Sequence, residues 1–163
     1  MSVCLTPLAQ AKRVPNLELK SLTGTTQKVS ELRGSIVVLN FWATWCGPCK
    51  EELPLLSRLS QEYAGKKVRF IAISVDEAKN RTRIEPFVNE HKVAMDVWIG
   101  GDLDMLEHVG LGNVLPGTMI LDEQGEIVAR IMGQAHEEDI KTPLEWLLNG
   151  RSGPAPSPVT KRY

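Results

Sequence analysis

An α/β domain, a central mixed β-sheet flanked by helices, is what this sequence predicts, and three observations carry the prediction. The apolar run Ile36-Val37-Val38-Leu39-Asn40-Phe41-Trp42 precedes a segment with Leu53, Leu55, Leu56 and Leu59 at helical spacing, and a β-branched run from Val68 to Val75 follows. Strand, helix and strand in that order make a βαβ unit, whose crossover length implies parallel pairing. Later, Thr118 to Asp122 and Ile127 to Ile131 flank Glu123-Gln124-Gly125-Glu126, a hairpin signal that adds antiparallel strands. Finally, Glu137 to Leu148 is amphipathic at helical period and is stopped by Asn149-Gly150.

Taken in order, residues 1–14 read as an N-terminal tail. Val3 to Leu8 is short and apolar, and Ala9-Gln10-Ala11 has the small-x-small spacing of a signal-peptide cleavage site, so a signal-peptide remnant and an extracytoplasmic (periplasmic or cell-envelope) location are expected. No basic segment precedes the apolar run, and an unstructured tail fits as well. Cys4 is the odd cysteine and reads as an incidental thiol. Leu17, Leu19 and Leu22, the Thr23-Gly24 turn and the stretch from Thr25 to Val29 predict an N-terminal β-hairpin. The first core strand spans Ser35 to Trp42, and the helix after it runs to about Tyr63. Beyond the second core strand, a helix over Arg83 to His91, a short strand over Val93 to Ile99 and a helix over Asp102 to His108, N-capped by Asp102, form a βα-type insertion in the middle. The domain thus covers 15–150, and residues 151–163, with Pro154, Pro156 and Pro158, read as a Pro-rich C-terminal tail.

At 163 residues, 42% of them hydrophobic, the chain is long and apolar enough for one cored domain. A net charge of −1, with no basic cluster, supports no nucleic-acid partner and no anionic membrane surface. No apolar run approaches the roughly 18 residues of a membrane span, so no transmembrane segment is expected in the chain as given.

The chemistry concentrates in Trp45-Cys46-Gly47-Pro48-Cys49, at the strand-to-helix junction. Two thiols separated by two residues close a disulfide only in a tight turn or a first helical turn. At a helix start, backbone N–H groups and the positive end of the macrodipole favour the Cys46 thiolate, which makes Cys46 the nucleophile. Cys49, one turn inside and more shielded, is placed to attack a mixed disulfide on Cys46 and reads as the resolving thiol. Pro48 suits the first helical turn, where its missing N–H is not needed. Gly47 lets a partner's backbone approach, and Trp45 forms an apolar rim that receives it, while Trp42, Trp98 and Trp146 read as packing residues. A structural zinc site is disfavoured: His91, His108 and His136 are scattered singly and read as surface or helix-end residues. A peroxidase of the Pro-x-x-x-Thr/Ser-x-x-Cys type is disfavoured too, because no proline lies between Ser35 and Cys46. Asp76 and Glu77 read as a solvated strand end.

The segment GSIVVLNFWATWCGPCKEELP, Gly34 to Pro54, together with Pro116-Gly117-Thr118-Met119-Ile120-Leu121-Asp122, Gly125 and Gly133, resembles the thioredoxin family, and within it the TlpA/ResA branch of exported, often membrane-tethered thiol-disulfide oxidoreductases. The resemblance covers about residues 15–150 and implies a thioredoxin-like fold. It further implies a cis peptide before Pro116, with the backbone of Leu115 pairing with an extended substrate, and a proline kink at Pro54. Gly117 departs from the Thr or Ser common after that proline. Asn40 stands where cytoplasmic thioredoxins carry a buried acid. Glu52, one turn after Cys49 on the same face, matches a glutamate of this branch and is placed to exchange a proton with the resolving sulfur. As a plain alternative, Glu52 is an acid favoured in the first helical turn.

The resemblance implies a reductase of disulfides in exported proteins, such as apocytochrome c before haem attachment. A membrane thiol-disulfide donor would recharge it, and the Cys46–Cys49 disulfide would be the redox centre, with no metal or organic cofactor. From a different class, the alternative is a redox-inert thioredoxin-fold module that only binds peptides.

Overall fold

The computed structural model describes residues 13–163, so the expectations for Cys4 and Ala9-Gln10-Ala11 lie outside the described residues, while Arg13 and Val14, the last two positions of the expected tail, are held against Glu126 and Gly125. In chain order the elements are β1 (Glu18–Ser21), β2 (Thr26–Lys28), β3 (Ile36–Trp42), α1 (Gly47–Glu62), β4 (Val68–Ser74), α2 (Ile84–Glu90), β5 (Asp96–Ile99), α3 (Leu103–His108), β6 (Gly117–Leu121), β7 (Ile127–Gly133), α4 (Glu137–Leu148) and β8 (Val159–Arg162). Single 3₁₀ segments lie at Val29–Leu32 and Ala78–Arg83.

The strands form one mixed sheet in the order β2-β1-β5-β4-β3-β6-β7-β8. β3 is its centre and is buried along its whole length, as its unbroken apolar sequence requires. It runs parallel to β4, in register from Ile36↔Val68 to Trp42↔Ser74, and antiparallel to β6, from Val37↔Leu121 to Phe41↔Gly117. The N-terminal hairpin turns at Gly24, with φ +87°, and β1 joins the main sheet through β5.

Alternation along β3 divides the core into two layers. Ile36 and Val38 pack with Leu56, Leu59 and Tyr63 of the α1 region and with Ile140, Leu144 and Leu147 of α4. Val37, Leu39 and Phe41 face the other side, against Ile84 and Phe87 of α2 and Leu106 of α3. A sheet covered by helices on both faces is the predicted thioredoxin-like architecture.

The C-terminal segment departs from the expected tail. Residues 159–162 pair in parallel with β7, from Arg130↔Val159 to Gly133↔Arg162. The three prolines fall before the strand, where no ladder donor is lost, and side chains rather than apolar burial hold the return path. Arg151 donates to the buried Asp122 at 2.6 Å and lies over the Trp146 ring, and the Trp146 indole N–H donates to Gly153 O at 3.3 Å. Arg162 then grips Asp139 through two hydrogen bonds of 2.9 and 2.7 Å.

Candidate active site

β3 ends at Trp42, and the chain turns through Ala43, Thr44 and Trp45 before entering α1 at Gly47. Cys46 is the N-cap, in extended conformation, and its Sγ accepts from the Cys49 N–H at 3.3 Å. Pro48 occupies the first turn of the helix, as its fixed φ allows. Cys46 and Cys49 form a disulfide with a Cα–Cα distance of 5.3 Å. Cys49 is fully buried and Cys46 is 5% exposed, whereas Trp45 is 58% exposed and Gly47 and Pro48 lie on the surface beside it. The one thiol pair therefore has an outer face lined by an aromatic ring and a closed inner face.

Glu52 lies on that inner face. It is 1% exposed, and its two oxygens accept from Asn40 Nδ2 at 2.6 Å and from the Ala135 N–H at 2.5 Å. Asn40 also donates to Thr118 Oγ1 at 3.0 Å, its register partner on β6. Burial pushes the Glu52 carboxyl up to about 7. The hydrogen bonds from Ala135, Asn40 and Thr118 favour its charged form without overcoming that penalty, and the nearby Asp139 carboxylate adds to it. A group poised near neutrality can both accept and return a proton at ordinary pH. α1 thus places a buried acid in hydrogen-bond contact with Asn40 at the centre of the sheet.

The Leu115–Pro116 peptide is cis, and the Phe41↔Gly117 pairing brings it to the same end of the sheet as the Cys46 turn. Leu115 is half-buried and Pro116 buried, and the Pro116 carbonyl accepts from the Gly133 N–H at 2.9 Å. Pro54 lies inside α1, on its exposed side.

Asp76 is corrected by the structure. Instead of a solvated strand end it is 1% exposed, and its carboxylate accepts from Thr44 N at 2.9 Å, Thr44 Oγ1 at 2.5 Å and Ser74 Oγ at 2.8 Å. It thereby ties the turn before Cys46 to the end of β4. Beside it opens a cleft of about 510 Å³ lined by Trp45, Glu77, Arg81, Asp102 and Leu103 among others. Thr44, Thr118 and Ala135 were not singled out from the sequence; Ala135 acts through its backbone, which leaves no side-chain signal to find. Trp42 and Trp98 are buried as packing residues, and the three histidines lie at helix ends. Among the described residues no group of three or more His, Cys, Asp or Glu side chains is arranged to hold a metal ion, and no helix is long and apolar enough to cross a membrane.

The model of the AhpC/TSA family matches residues 11–130. The thiol-disulfide oxidoreductase ResA of Geobacillus thermodenitrificans is 33% identical over 140 residues, covering 86% of this chain and 79% of the relative. ResA of Bacillus anthracis is 32% identical over 134 residues, 82% and 76% of the two chains. Among solved structures, a secreted thiol-disulfide isomerase of Corynebacterium glutamicum superposes with a TM-score of 0.75 at 24% identity, covering 86% of this chain and 89% of the other. A thioredoxin-family thiol:disulfide interchange protein of Chlorobium tepidum gives 0.72 at 20% identity, with 86% and 98% covered. The two superpositions establish the thioredoxin-like fold.

Proposed function

The chain belongs to the AhpC/TSA family and to the thiol-disulfide oxidoreductases within it, and from that premise we propose that it reduces disulfides in exported proteins, apocytochrome c among them. The observation that carries the reading is the Cys46–Cys49 pair at the start of α1 with the buried Glu52 carboxyl one turn further along.

In the reduced protein, the helix N-terminus stabilises the Cys46 thiolate, which attacks one sulfur of a substrate disulfide. A mixed disulfide forms and the first substrate sulfur leaves as a thiolate that takes a proton from solvent. The Cys49 thiol then passes its proton to Glu52 and attacks the Cys46 sulfur, which expels the second substrate thiolate. Glu52 returns the proton to that thiolate or to solvent, and the site ends as the Cys46–Cys49 disulfide. The substrate has gained two electrons from the dithiol and two protons, at least one of them from solvent, and no metal or organic cofactor enters any step. The exposed Trp45, Gly47 and Pro48 receive the substrate, whose extended backbone pairs with Leu115 beside cis-Pro116. A membrane thiol-disulfide donor then restores the dithiol. The Ala9-Gln10-Ala11 spacing and the likeness to ResA support an extracytoplasmic site of action.

Two measurements test the reading. The protein should accelerate reduction of insulin by dithiothreitol, and Cys46→Ser should abolish the acceleration; equal rates for the two proteins would remove the enzyme and leave a peptide-binding module. A redox titration followed by thiol trapping should place the midpoint near or below about −250 mV, at the reducing end of the range from thioredoxin to DsbA. A midpoint above about −150 mV would make the protein an oxidant.

A further inference from the structure

We propose that Arg162, the last residue of β8, is a positioning residue for Glu52: it holds both ends of the turn over residues 133–136, whose Ala135 N–H binds that carboxyl. The inference rests on the proton-transfer reading of Glu52 for its functional meaning, but its geometry stands apart from it.

At the first end of the turn, Gly133 pairs with Arg162 in the β7–β8 ladder and donates its N–H to Pro116 O at 2.9 Å. Gly133 has φ +94°, and a Cβ there would stand 2.7 Å from Arg162 O, so the close approach of β8 requires glycine. At the other end, the His136 N–H donates to Asp139 Oδ2 at 2.8 Å in the capping box of α4. The same carboxylate receives the planar fork of Arg162, Nε to Oδ2 at 2.9 Å and Nη2 to Oδ1 at 2.7 Å. The Asp139 side chain is only 7% exposed. Burial alone would raise its pKa, but the bonds from Arg162 and the His136 N–H, with the Arg162 charge, outweigh burial and hold it below the usual carboxylate range. Between these two anchors lies Ala135, whose N–H reaches Glu52 at 2.5 Å.

Removing the guanidinium therefore acts on Glu52 in two ways, with one sign. The turn loses the side-chain anchor at its His136 end, while the backbone pairing at Gly133 remains, and this weakens a hydrogen bond favouring the charged carboxylate. Asp139 also loses its counter-charge and stands as an uncompensated like charge near Glu52. Both raise the proton affinity of Glu52. The groups facing Glu52 are Asn40 from β3, Thr118 from β6, the Ala135 N–H from the turn and Asp139 from α4. His136 and Glu138 lie behind Asp139 and Arg162. Of those facing groups only Asp139 carries a charge.

The test is a ¹³C NMR titration of the Glu52 side-chain carboxyl in the full-length, disulfide-bonded protein, with Glu52→Gln to assign the resonance. Arg162→Gln should raise the midpoint by about half a pH unit or more. Asp139→Asn, which keeps an acceptor for the His136 N–H but removes the like charge, should lower it. The double variant should follow Asp139→Asn, because the charge that Arg162 compensates is then gone. An unchanged or lowered midpoint in folded Arg162→Gln overturns the proposal; where Arg162→Gln does not fold, Arg162→Lys, which keeps the charge but not the planar fork, decides in its place by raising the midpoint or leaving it unchanged. The midpoint is read on the carboxyl itself without turnover. Unimpaired insulin reduction by Glu52→Gln would accordingly overturn the proton-transfer reading and leave the positioning role intact.

Discussion

Glu52 shows how one residue couples stability to chemistry. Its carboxyl ordinarily titrates at 4.5 and is held at about 7 in the fold. The native state therefore binds this proton more tightly than the unfolded chain does. The stability so gained is fully present below pH 4.5 and is lost as the pH rises through 7. The whole effect is about 3 kcal/mol, since each pKa unit is worth about 1.4 kcal/mol. Glu52→Gln cannot ionise and loses that slope. Between pH 5 and pH 8, chemical denaturation should show the variant gaining roughly 2 to 3 kcal/mol on the native protein; parallel curves for the two would mean that burial does not hold the proton. Asn40 suits either state of its partner, because its amide, turned over, presents an acceptor to the protonated acid. Asp76 is equally buried and has a mechanical part: it receives three hydrogen bonds from neutral donors and anchors the Thr44 turn to the end of β4.

At the scale of the element, α3 shows how a short helix depends on its cap. It has six residues, too few to be stable on propensity, and only Leu106 is buried from it. Asp102, in extended conformation, accepts from the Met105 N–H at 2.8 Å and satisfies one of the orphan donors. Asp102→Ala should cost about 1 kcal/mol in denaturant unfolding, while Asp102→Asn should remain near native; equal losses would shift the explanation from the cap to the charge. This helix was legible in the sequence because its cap and its pattern are local. So were β3, α1, β4, the β6–β7 hairpin and α4, each marked by periodicity or turn residues. β5 is shorter than the run from Val93 to Ile99 suggests, beginning at Asp96, where parallel pairing with β4 starts. β8 was not legible: its four residues are mostly exposed, they follow three prolines, and only pairing with β7 makes them a strand. The site divides along the same line. Cys46, Cys49 and Glu52 share one helix and their spacing exposes them, whereas the partners that bury Glu52 arrive from 12 and 83 positions away. The burial of Asp76 likewise depends on Thr44, 32 positions off.

The whole molecule gathers its chemistry at one end of a sheet. There β3 has a parallel neighbour in β4 and an antiparallel one in β6, and the turns that leave β3 and enter β6 carry the disulfide and the cis proline. β8 also settles a different matter, namely what the sheet offers to other molecules at its margins. One margin is β2, three residues long; the other is β8, four residues long and carrying Lys161 and Arg162. Short, charged margins are poor templates for a foreign strand. β7 by itself would be a better one, with seven residues whose inner positions are buried and a backbone edge left open once β8 is gone. A chain truncated after Gly150 should accordingly associate with itself in a concentration-dependent way in sedimentation velocity, beyond anything seen for the full chain, and indifference to concentration would show that the β7 edge is harmless. The C-terminal strand, by this account, is a guard against polymerisation.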